Sequence, residues 1–195
     1  MARPRTFDED QILEGAIGLF RERGYEGTSV PQITEHLGIC RQSLYSAFGD
    51  KRGLYLRALE RSGDREADLK LALLQAEGSP IENLRTLLRS LAAYATSCPS
   101  EGCFTVTAMV ENRADPEALA IVERQVVRFE TAYRETLDRA KAKGEIRDDV
   151  PTQRLARTLI TTSHGIGLLT RLPGSGPRIG DAVASMLDLV AAAAT

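Results

Sequence analysis

Val30-Pro31-Gln32-Ile33-Thr34-Glu35-His36-Leu37-Gly38-Ile39-Cys40-Arg41-Gln42-Ser43-Leu44-Tyr45-Ser46-Ala47-Phe48 reads as two short helices joined by a turn too tight to be a linker. Ile33 and Leu37 stand one helical turn apart, and Gly38 ends that run with the backbone freedom a sharp turn needs. Ile39 is an apolar plug. Cys40 opens the next helix at once, with Leu44, Tyr45 and Phe48 at helical spacing. This is the layout of a helix-turn-helix, here about residues 30–48. In such a unit the second helix lies in the major groove and its first turn meets base edges. That turn offers Arg41, Gln42 and Ser43. An arginine can donate two bonds to guanine, and a glutamine can pair bidentately with adenine.

Helical signals continue on both sides, and no stretch alternates at the period of a strand. Asp8 is a candidate N-cap for the first helix, with Gln11 as capping-box partner and Phe7 and Ile12 as a hydrophobic staple. Ile12, Leu13, Ala16, Ile17, Leu19 and Phe20 follow, and Gly24 stops the run. Thr28 or Ser29 can cap the second helix, with Pro31 in its first turn. Asp50 can cap a fourth helix running to about Gln75. Gly78-Ser79-Pro80, Gly144 and Pro173-Gly174-Ser175-Gly176-Pro177 break the remainder. The pattern predicts an all-α chain of about nine helices, with a domain boundary inside the fourth: residues 1–57 and 58–195.

Composition bounds the partners. The chain has 195 residues, 43% of them hydrophobic, and a formal net charge of −2. That is enough apolar material for a core, and the balance excludes a uniformly basic nucleic-acid coat. The positive charge is local instead. Arg3 and Arg5 precede the first helix with no acid among residues 1–5, and Arg41, Lys51, Arg52 and Arg57 face only Asp50 across residues 38–57. A basic arm of this kind can reach a minor groove, and it also reads as a solvated terminus. Lys51 and Arg52 open a helix, where the dipole favours phosphate. No signal peptide, membrane span or metal-ligand spacing is visible, so a soluble cytoplasmic protein without metal or cofactor is expected.

Residues 7–57 resemble the DNA-binding domain of TetR/AcrR-family transcriptional regulators. The likeness rests on Ile12, Ala16, Leu19, Phe20, Gly24, Tyr25, Thr28, Ser29, Val30, Ile33, Leu37, Gly38, Leu44, Tyr45, Phe48, Lys51, Leu54 and Tyr55. The run from Gly38 to Lys51 is close to the family's recognition-helix pattern. The resemblance implies a homodimer on a palindromic double-stranded DNA operator, released by a small-molecule inducer bound in a helical C-terminal domain. It also implies phosphate contacts from Thr28, Ser29, Tyr45 and Lys51, and base contacts from Arg41, Gln42 and Ser43. Cys40 departs from the pattern, since that position is usually Ser, Thr or Asn. A thiol is a weaker acceptor, so this cap is expected to be weak.

Other candidates read two ways. Tyr94, Phe104, Met109, Phe129, Tyr133 and His164 are either pocket lining or ordinary packing. Cys103, in Gly102-Cys103-Phe104 followed by Asp115-Pro116-Glu117, resembles a branch of the family in which some members sense oxidants or electrophiles. A helix start would lower its thiol pKa. Its bland reading is a small buried residue. Cys98 and Cys103 flank a turn without zinc spacing, and Cys40 is a weaker candidate for a thiol switch. The last two helices, about 151–172 and 178–193, have apolar faces that suit either internal packing or a four-helix contact with a symmetry mate. An enzyme is the rival class. No nucleophile elbow, phosphate loop or His-Glu-x-x-His supports it, and the chain has two histidines.

Overall fold

The structure is a computed structural model describing residues 8–97 and 102–195, excluding the side chains of residues 95–97. Among these residues nine helices follow in order. They are α1 (Glu9–Arg23), α2 (Val30–Leu37), α3 (Arg41–Phe48), α4 (Lys51–Leu74), α5 (Pro80–Ser97), α6 (Phe104–Glu111), α7 (Pro116–Ala142), α8 (Thr152–Leu169) and α9 (Gly176–Ala192). An isolated antiparallel bridge joins Ile146 to Ala194. No described helix is long and apolar enough to cross a membrane.

The helix ends follow from local chemistry. Ser29 and Gln32 form a reciprocal capping box at the start of α2, with Pro31 in its first turn. Gly38 closes α2 at φ 65°, a left-handed conformation that a side chain would strain. Asp50 accepts from the Gly53 N–H at 2.7 Å to start α4. Asp115 accepts from Glu117 and Ala118 to start α7. At α1, Asp8 caps as expected but accepts from the Asp10 N–H at 3.0 Å. The capping box with Gln11 does not form, and Phe7 lies outside the described residues. Gly176 and Pro177 belong to the first turn of α9 rather than to the breaker before it.

Two apolar cores result, and α4 enters both. Phe20, Ile33, Leu44, Leu54, Tyr55 and Leu59 build the first, joined by Phe104 and Ala108 of α6 and by Ile121 and Val122 of α7. Tyr55 is its hub. Its ring meets Phe20 edge-on at 5.0 Å, Tyr25 at 4.9 Å and Phe104 at 5.5 Å. Its hydroxyl accepts from the Asn112 amide at 2.7 Å, which satisfies a buried polar tip. Ala67 and Leu74 carry α4 into the second core, with Leu84, Leu88, Leu137, Leu159 and Met186.

At the crossing of α4 and α7, a Cβ on Gly63 would stand 1.7 Å from the Gln125 amide nitrogen. Gln125 fills that gap, donating to the Leu59 carbonyl at 3.1 Å and accepting from the Thr105 hydroxyl at 2.8 Å. Two rows of charge flank the contact. Arg57, Arg61 and Arg65 of α4 pair with Glu9, Asp10 and Glu14 of α1. Glu60, Asp64 and Asp68 of α4 pair with Arg124 and Arg128 of α7. Residues four apart share a helix face, so the rows run along two sides of α4. Exposed pairs of this kind contribute about 0–1 kcal/mol each.

Candidate nucleic-acid interface and ligand cavity

Leu44 and Phe48 anchor α3 in the first core and turn its other face outward. Arg41, Gln42 and Tyr45 are exposed there, and Ser43 is half-buried. The α3 cap is weak as expected, because Cys40 makes no side-chain bond to the helix backbone. Its sulfur lies 3.2 Å from the Ser43 hydroxyl instead. That hydrogen bond draws the Cys40 thiol below its ordinary pKa. Ser29 is also exposed, its hydroxyl within the capping box.

Three of the expected phosphate-contacting residues have partners within the chain. Thr28 is buried, and its hydroxyl donates to the Gly24 carbonyl at 2.7 Å. Lys51 donates to the carbonyls of Tyr25 and Thr28 at 2.9 and 3.0 Å, and its ammonium stands 4.0 Å over the Tyr25 ring. It fastens the turn between α1 and α2, where carbonyls past the helix end have no helical partner. Arg52 pairs with Asp115 at 2.8 Å and with Glu117 at 2.8 Å. The Arg52 guanidinium holds the Asp115 carboxyl down, at about 2. Arg57 is matched by Glu9. The positive surface is therefore narrower than the residue count implied. Arg3, Arg5 and Cys98 lie outside the described residues.

The turn after α6 grips this end of the molecule. Glu111 accepts from the Tyr25 N–H at 2.9 Å, and its carboxylate fills the space a Cβ on Gly24 would take. Asn112 reaches Tyr55, and Asp115 reaches Arg52. Arg171, just past α8, donates to the Arg21 carbonyl at 2.7 Å in the last turn of α1, where a cation complements the helix dipole.

A cavity of about 450 Å³ opens between α1, α4, α5 and the start of α6. Ile17, Leu69, Leu91 and Phe104 supply apolar wall, and Glu14 and Arg65 pair at 2.6 Å beside it. A smaller chamber of about 60 Å³ continues toward α7 and α8. Both are lined by Glu66, Lys70, Leu91, Tyr94 and Cys103.

Of the expected pocket residues, Tyr94 lines both spaces, Phe104 the larger, and Phe129 and His164 the smaller. Met109 and Tyr133 lie outside both. Met109 packs on the first core, and Tyr133 is buried in the second with its hydroxyl 3.4 Å from Ser163. Burial pushes the His164 pKa down, and Lys70 adds to the effect. Cys103 begins α6, yet burial pushes its thiol up, with Glu66 adding and Lys70 opposing. This corrects the expected lowering: desolvation outweighs the helix dipole. Gly167 is what lets α8 come this close, since a Cβ there would stand 2.8 Å from that of Cys103.

The charged pair Glu66–Lys70, together with Glu111, Asn112 and Gln125, was missed by sequence reasoning. Only the four-residue spacing of Glu66 and Lys70 was visible. Among the described residues, no cluster of His, Cys, Asp or Glu forms a metal site.

On comparison with known proteins, residues 12–58 match the family model described as bacterial regulatory proteins, tetR family. Residues 80–186 match the tetracyclin repressor-like C-terminal domain. The HTH-type transcriptional regulator YezE of Bacillus subtilis is 32% identical over 97% of this chain and 100% of that protein. The HTH-type transcriptional repressor AcnR of Corynebacterium glutamicum is 31% identical over 95% of this chain and 91% of that protein. Among solved structures, a cysteine mutant of the regulator CifR complexed with 26 bp double-strand operator DNA superposes with a TM-score of 0.82. It is 30% identical, covering 95% of this chain and 98% of that one.

Proposed function

Because the chain belongs to the TetR family of transcriptional regulators, and is not an enzyme, we propose that it is a cytoplasmic homodimeric repressor released from its operator by a small molecule. The observation that carries the reading is the exposed face of α3, where Arg41, Gln42 and Tyr45 project from a helix anchored by Leu44 and Phe48. Arg41 and Gln42 read base edges, and Tyr45 and Ser29 meet phosphates. The operator-bound state of CifR, similar along nearly the whole chain, supports this use of the fold.

Residues 1–57 form the DNA-binding unit and residues 58–195 the ligand-binding and dimerisation unit, with α4 common to both cores. Leu168, Leu172 and Leu189 remain 46–55% exposed on or beside α8 and α9, which supports a two-fold contact through those helices. Release is a population shift. An inducer that binds better to a form with wider-spaced recognition helices lowers operator affinity by its differential affinity.

Selection of bound DNA from a random pool, at stated salt, tests the reading. The expected product is a palindrome whose half-sites lie about 34–36 Å apart, or a multiple of that spacing. Enrichment of no sequence refutes it.

A further inference from the structure

From the placement of Lys70 we infer that the cavity binds an organic monocarboxylate, with its carboxylate on Lys70 and its apolar body against Ile17, Leu91 and Phe104. This rests on reading the C-terminal unit as inducer-binding and adds the chemical class. Lys70 stands where the large cavity meets the small chamber. An ammonium has three N–H donors. Among the described residues its hydrogen-bond partner is Glu66 alone, and the Phe129 ring lies 4.6 Å from its nitrogen. Donor capacity is left over, and it borders the cavity.

The asymmetry of the pair selects an anion over a cation. The Lys70 side chain is 21% exposed and that of Glu66 36%. Glu66 can swing toward solvent when an incoming carboxylate takes its place, which leaves Lys70 in a matched buried pair. An incoming amine would draw Glu66 away and strand the ammonium in the interior, which is costly. Of the other cations lining the cavity, Arg65 is engaged by Glu14, and Arg21 belongs to the α1 wall. Behind Lys70, the small chamber adds Thr105, Ser163 and His164 to a mostly apolar wall, and its charged groups are Glu66 and Lys70 themselves. Leu69, 67% exposed at the mouth, gives an alkyl or aryl tail a surface to cover. Ile17 belongs to α1, so such a ligand touches the DNA-binding end directly.

The test is calorimetric titration of the full chain at neutral pH with octanoate, octylamine and octan-1-ol. Octanoate is expected to bind tightest. Lys70→Met is expected to lose about 10- to 100-fold in octanoate affinity, the range for a hydrogen bond to a charged group. Glu66→Gln removes the competing carboxylate and keeps Lys70, and is expected to gain about two- to fivefold. Octylamine binding more tightly than octanoate overturns the inference, as does octanoate binding no better than octanol. Should Lys70→Met fail to fold, an octanoate affinity unchanged or lowered in Glu66→Gln overturns it alone. Operator release is read separately by fluorescence anisotropy on DNA from the pool selection. Binding of octanoate without release upholds the ligand class and refutes the inducer reading.

Discussion

Gly63→Ala is the sharpest test of how α4 is held. In an open helix this change stabilises by about 0.8–1 kcal/mol, because alanine is the better helix former. Here the new methyl would fall 1.7 Å from the Gln125 nitrogen and 2.0 Å from its amide carbon. Gln125 must leave. It then gives up its bonds to the Leu59 carbonyl and the Thr105 hydroxyl, both buried. The Leu59 carbonyl keeps its helical partner, but the Thr105 hydroxyl and the Gln125 amide lose theirs at about 1–3 kcal/mol each, so the net loss is about 3 kcal/mol after the helix gain. For a chain of this size, that lowers the melting temperature by about 6–12 °C. Differential scanning calorimetry at fixed protein concentration measures it, since oligomerisation shifts apparent stability. Adding Gln125→Ala clears the clash, so the double variant should lose less than the two single losses combined. A melting temperature unchanged or raised in Gly63→Ala alone would refute the reasoning.

At the DNA face, Arg41→Ala should cost about 1–3 kcal/mol at one base position and relax preference there, which repeating the pool selection would display. Lys51→Met should lower chain stability by about 1.5–3 kcal/mol, because two carbonyls lose a charged donor. It should leave the salt dependence of operator binding unchanged, whereas losing a phosphate contact would reduce that slope by about one. Asp115 is held at about 2 against an ordinary 3.8, mainly by Arg52. A depressed carboxyl stabilises the fold fully above its ordinary value and ceases to as pH falls through the lowered one. The stability gap between wild type and Asp115→Asn should therefore close between those two pH values in acid titrations followed by circular dichroism. Leu168→Glu with Leu189→Glu should give monomers by light scattering, and an unchanged dimer mass would place the interface elsewhere.

Helix starts and the recognition turn were legible because their chemistry is local. Ser29 with Gln32, Asp50, and Asp115 before Pro116 each carry a cap and its partner within four residues. Gly38 announces a left-handed turn by having no side chain. What was not legible depends on partners far along the chain. Arg52 counted as free positive charge until Asp115, 63 residues later, was seen to hold it. Nothing in sequence shows two carbonyls converging on the Lys51 ammonium. Cys103 was assigned to a helix start correctly, but its pKa answers to burial, which the helix pattern does not report. The Glu66–Lys70 pair resembled any solvated pair on a helix, and only the cavity beside it shows otherwise.

The continuity of α4 through both cores sets a scale for signalling. Its 24 residues make a rod of about 36 Å, at about 1.5 Å of rise per residue. If such a rod pivots by about 5° at its far end, its tip sweeps about 3 Å, close to the roughly 3.4 Å between stacked bases. Lys51 sits at that tip and holds Tyr25 and Thr28, so the turn leading into α2 travels with it. A tilt of that size at the far end of α4 would thus displace the turn before α2 by about one base step.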